Sequence, residues 1–128
     1  INLKKKYEIN LMIQQGKNLF ERMTSCLDNE SSQSDITLLF GSDIPTLDSN
    51  IILDAISLLK SKDVVLGPSK DMGFYLIGVK GRYDKEIINH KDNMSFREIQ
   101  RNILSKSMSL GLVRKLKDID KPNDLLFF

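Results

Sequence analysis

The chain of 128 residues is 41% hydrophobic and 28% charged, with a formal net charge of +2. These values fit one globular domain over residues 1–128, and they lack the basic excess that nucleic-acid binding needs. A single cysteine, Cys26, and a single histidine exclude an internal disulfide and a zinc site of His and Cys ligands. Any metal is therefore expected on oxygen, as magnesium or manganese.

No apolar run approaches the ~20 residues that span a bilayer, and no signal peptide is visible, so no membrane span is expected. One unpaired cysteine suits a reducing cytoplasm. The Lys4-Lys5-Lys6 run, closely followed by Glu8, reads as a solvated end.

In chain order, residues 7–13 (YEINLMI) read as a short strand that Gln14-Gln15-Gly16 interrupts. Leu19, Phe20, Met23 and Leu27 recur at helical spacing and predict a helix over about 17–27. Residues 28–35 (DNESSQSD) hold no apolar side chain and read as a solvent loop. Ile36 to Phe40 is a continuous apolar run, expected as a strand buried on both faces. Asp48 is placed to cap a helix whose apolar stripe is Ile51, Ile52, Ala55, Ile56 and Leu59.

Val64-Val65-Leu66 predicts a second buried strand ending in Gly67-Pro68. Strand, helix and strand within this span form a βαβ unit, which makes the two strands parallel. The following loop, SKDMG, is too short for a helical crossover, so Phe74 to Val79 is expected to run antiparallel. Tyr83 to Ile88 is expected as a short helix. Ser95 and Glu98 have capping-box spacing ahead of a helix lined by Phe96, Ile99, Ile103 and Leu110, with Gly111 as its left-handed end. Leu112 to Leu116 predicts a final strand, and Asp120-Lys121-Pro122 a last helical turn. The fold class is α/β, a mixed sheet layered with helices.

Ligands of open α/β sheets bind outside the carboxyl ends of the strands. Two predicted strands end there in loops that hold a carboxylate: Gly41-Ser42-Asp43-Ile44-Pro45, and Gly67-Pro68 continuing to Lys70-Asp71-Met72-Gly73. With parallel strands, Asp43 and Asp71 share one sheet edge. Each also has a plainer reading as a turn residue.

The segments QQGKNLFERM, LLFGSDIPTL, DVVLGPSKDMGFYLIGV and LKDIDKPNDL, in that order, resemble the glycosyltransferase-A-like DUF2064 group. Its relatives are the nucleotide-diphospho-sugar transferases and the MobA-like nucleotidyltransferases. The resemblance runs from about Gln14 to Leu125. It implies a GT-A fold, a Rossmann-like mixed sheet that takes a nucleotide and a divalent cation. It assigns Asp43 to the metal and makes Asp43 and Asp71 the catalytic pair. For Asp71 it leaves three roles open: metal ligand, partner of a sugar hydroxyl, or base. It places Gly16, Arg22, Gly41, Ser42, Gly67 and Gly73 on the substrate side. Arg22 is either a phosphate contact or one half of a surface ion pair.

The sequence departs from the family pattern at Lys17-Asn18, Ile44, Met72, Phe74 and Met94. Family members open with a nucleotide-binding strand and a basic loop, and neither is seen before Gln14. The chain is therefore expected to carry the later part of the family domain, with an open sheet edge that favours a homo-oligomer. The leading expectation is a metal-dependent glycosyltransferase that uses a nucleotide sugar. The alternatives are a nucleotidyltransferase acting on a nucleoside triphosphate, and a non-catalytic binding module.

Overall fold

A computed structural model of the chain describes residues 19–41, 49–69, 73–89, 94–115 and 125–127. The expected strand at residues 7–13, the cap at Asp48 and the turn at Asp120 to Pro122 lie outside these residues.

Helix α1 (Leu19–Ser31) buries Phe20, Met23, Cys26 and Leu27. It runs through Asp28 to Ser31, which the sequence marked as loop. Contacts from a distant segment hold this last turn. Asp28 pairs with Arg82 at 3.4 Å and with Lys85 at 3.8 Å. Buried Ser31 accepts the Tyr83 N–H through its Oγ at 2.8 Å. Local composition favours a loop here, and these tertiary partners override it.

Three strands follow the apolar runs: β1 (Ile36–Gly41), β2 (Val64–Pro68) and β3 (Phe74–Lys80). Two short ones complete the sheet, β4 (Leu110–Leu112) and β5 (Leu125–Phe127). The order is β4-β2-β3-β1-β5. Both β1 and β2 pair antiparallel with β3, so they run parallel to each other with β3 between them. β4 is parallel to β2, and β5 is antiparallel to β1. The mixed sheet thus agrees with the expectation.

Alternation along the strands builds two cores. On one face Leu39, Val64, Leu66, Ile77 and Val79 pack with α1 and with Ile99 and Ile103 of helix α3 (Phe96–Ser105). On the other face Leu38, Phe40, Val65 and Leu76 pack with Ile51, Ile52 and Ala55 of helix α2 (Ser49–Leu58) and with Leu59 just beyond it. Gly78 lets the layers close: a Cβ there would lie 2.4 Å from Leu38 Cδ2.

The capping box forms as expected. Glu98 N–H donates to Ser95 Oγ, and Ser95 N–H donates to Glu98 Oε1, each at 3.2 Å. The end of this helix corrects the sequence reading. α3 stops at Ser105, and Ser107 takes the left-handed conformation with φ 58°. Leu110 and Gly111 then belong to β4 rather than to the helix and its terminus. Serine can adopt this turn at modest cost, so no glycine marks it in the sequence. The helix expected at Tyr83 to Ile88 is instead a set of turns. Asp84 Oδ1 accepts the Glu86 N–H, and its carbonyl accepts the Ile87 N–H. The side-chain bond offers the backbone an alternative to helix. Among the described residues, no helix is long and apolar enough to cross a membrane.

Candidate functional site

Strands β1, β2 and β4 all end on one edge of the sheet, where β3 begins. The start of α1 reaches the same edge. Phe20 in its first turn meets Phe74 at the start of β3 edge-to-face, with centroids 6.0 Å apart. Arg22, in the same helix, is half-buried. Gly41 closes β1, where it pairs with Leu125.

The end of β2 is irregular. Gly67 pairs with Leu76, but Pro68 pairs with Phe74, so Tyr75 is an extra residue in β3. This is a β-bulge, which bends a strand and redirects a side chain. The Tyr75 ring lies on Gly67, where a Cβ would come within 2.6 Å of its Cζ. Gly67 therefore has a packing requirement of its own. The Tyr75 hydroxyl donates to the Arg114 carbonyl at 2.5 Å. Val113 N–H donates to Leu66 O at 3.0 Å and extends the β2–β4 pairing toward the edge. Arg114 and Lys115 beyond it are exposed.

The loop between β2 and β3 is closed by Ser69 N–H donating to Gly73 O at 3.0 Å. Ser69 is buried. Among the substrate-side residues expected from the sequence, Arg22, Gly41, Gly67 and Gly73 belong to elements that meet this edge. Gly16, Ser42, Asp43 and Asp71 lie outside the described residues. Among the described residues, no group of three or more His, Cys, Asp or Glu side chains forms a metal centre.

Sequence reasoning missed Tyr75 and the segment Val113 to Lys115. An aromatic residue beside a strand glycine hints at close ring packing. Nothing in the sequence announces the bulge that sends the ring there.

Ionisation is perturbed at the opposite end of β3. Burial pushes the Tyr83 phenol well above its ordinary range, outweighing the Ile88 N–H that donates to it at 3.3 Å, and the Asp84 and Asp28 carboxylates add to the rise.

A family model described as "Uncharacterized protein conserved in bacteria (DUF2064)" matches residues 3–101. No curated protein matches the chain. A crystal structure described as a "putative nucleotide-diphospho-sugar transferase", from Desulfovibrio desulfuricans G20, superposes with a TM-score of 0.76 at 24% identity. The match covers 84% of this chain and 49% of that one, so the chain spans about half the length of that protein. The likeness shows the fold: an α/β, GT-A-like mixed sheet flanked by helices. The family model covers most of the chain, and the chain belongs to the DUF2064 family.

Proposed function

We propose that this chain is a metal-dependent glycosyltransferase acting from a nucleotide-diphospho-sugar donor. The observation that carries the reading is topological. Asp43 follows Gly41 by two positions, and Asp71 stands between Ser69 and Gly73. The strand order puts the ends of β1 and β2 on one edge of the sheet, and in sequence the segments that hold Asp43 and Asp71 follow those ends. One strand separates β1 from β2, so their ends stand about 10 Å apart. Chain connectivity thus limits how far apart the two carboxylates can lie.

Aspartate oxygens suit a hard divalent cation such as magnesium or manganese. Asp43 is the proposed ligand. A bound cation would supply neutralisation of the charge that grows on a departing diphosphate. Asp71 is the second polar anchor on the acceptor or sugar side. Gly16, Arg22, Gly41, Ser42, Gly67 and Gly73 complete the proposed substrate side. Support for the donor class comes from the structural neighbour, itself described as a "putative nucleotide-diphospho-sugar transferase". A nucleotidyltransferase would use the same edge, and products separate the two. Glycosyl transfer releases a nucleoside diphosphate, whereas nucleotidyl transfer releases pyrophosphate.

The test is thermal unfolding of the chain with manganese and a panel of nucleoside diphosphates, nucleotide sugars and triphosphates. A ligand at ~100 times its dissociation constant adds about 2.7 kcal/mol, which is several degrees for a domain of this size. The expected result is a manganese-dependent rise with one nucleotide class, lost in a folded Asp43→Ala variant. No rise with any ligand, or a rise that survives Asp43→Ala, would sink the reading.

A further inference from the structure

The bulge at Tyr75 has a role to explain. The ring is buried and lies on Gly67, and the hydroxyl reaches the main chain of a segment far away in sequence. That segment is the extension of β4 past its last paired residue. Its backbone is held twice, by Val113 N–H on Leu66 O and by Tyr75 on the Arg114 carbonyl. It carries two adjacent exposed cations, Arg114 and Lys115. An ordinary strand end frays into solvent, but this one is fixed at the edge where the acidic loops attach.

We propose that Tyr75 is a positioning residue that fixes Arg114 and Lys115 as a diphosphate-binding pair at the carboxyl edge. This deepens the transferase reading by naming what would meet the phosphates, and it takes the ligand class from that reading. An arginine and a lysine at one strand end supply positive charge that suits a diphosphate. The guanidinium adds a planar fork of donors that fits phosphate oxygens. Holding the backbone lowers the ordering cost of the segment when the anion binds. β-Bulges recur beside active sites for this kind of re-aiming.

The experiment uses the full chain and inorganic pyrophosphate in EDTA, followed by amide NMR shifts. It is independent of any metal and of Asp43. Saturable shifts are expected at Ser69, at Gly73 to Tyr75 and at Val113 to Lys115, weakening as salt rises. Arg114→Gln and Lys115→Gln should each weaken binding about tenfold. Tyr75→Phe keeps the ring on Gly67 and removes the tether, so about a fivefold loss is expected. In a background that carries both Arg114→Gln and Lys115→Gln, Tyr75→Phe should add little, because the tether acts only through the two cations. A purely structural tyrosine would cost the same in both backgrounds, and that result would overturn the proposal. Absence of saturable shifts in the unmodified chain, or unchanged affinity in the cation variants, would overturn it too. Pyrophosphate binding that behaves as expected, alongside no manganese-dependent nucleotide response, would retain this pair and remove the transferase reading alone.

Discussion

Thr37, the second residue of β1, is 1% exposed, and its Oγ1 has no hydrogen-bond partner among the described residues. A buried hydroxyl without a partner costs stability, and valine has nearly the same shape. Thr37→Val should therefore raise stability by about 1 kcal/mol, read as a higher urea midpoint. A lower midpoint would show that the hydroxyl is satisfied. Tyr83 makes the opposite case, a buried phenol that does have a partner. Its folded pKa is raised, so the native state keeps a proton that the unfolded chain releases above about pH 10. Its contribution is complete below that pH and is lost as pH climbs further. Urea midpoints measured from pH 8 upward should fall steeply on the alkaline side, and Tyr83→Phe should flatten the fall. An equally steep fall in the variant would assign it to other groups. The sequence shows both residues as strand-like or aromatic, but burial and partner geometry decide their behaviour, and neither is written locally.

At the scale of elements, the sequence was most legible where one signal dominates. The apolar runs of β1, β2 and β3 and the Ser95 and Glu98 capping box all form where expected. Legibility failed where distant partners decide. α1 gains its last turn from Arg82, Lys85 and Tyr83. β4 begins at Leu110 because Ser107 turns the chain, and β5 had no expected counterpart. β4 is further fixed by a reciprocal link between Asp63 and Ser109. Asp63 Oδ2 accepts both the Ser109 N–H at 2.9 Å and its hydroxyl at 3.2 Å, and Ser109 Oγ accepts the Asp63 N–H at 2.9 Å. In the candidate site, the strand ends at Gly41 and Pro68 were legible from the apolar runs before them, while Asp43 and Asp71 lie outside the described residues. The tether from Tyr75 to Arg114 was not legible, because it depends on a register shift between strands.

At the scale of the whole molecule, the two edges of the sheet divide the work. The amino ends of β2 and β4 hold the Asp63–Ser109 link, and the carboxyl ends hold the proposed ligand elements. Asp63→Ala should lower stability by about 1–2 kcal/mol in urea unfolding while leaving the size of any nucleotide-induced thermal shift unchanged. A diminished ligand shift in Asp63→Ala would show that the edges are coupled. The strand order also bears on how the chain reaches this structure. β2 and β3 are neighbours in sequence and in space, and Ser69 N–H donates to Gly73 O where the chain passes between them. β5 must instead bring Phe127 back to Leu39. Closure entropy rises with loop length, so the β2–β3 hairpin has the lower barrier to formation and the β1–β5 pairing the higher. The connection that carries Asp71 is then both a proposed ligand contact and the link of an early hairpin. Substitutions there should act on the rate of folding as well as on the proposed binding, and a poorly recovered Asp71 variant says nothing about chemistry until its refolding rate has been compared with that of the parent chain.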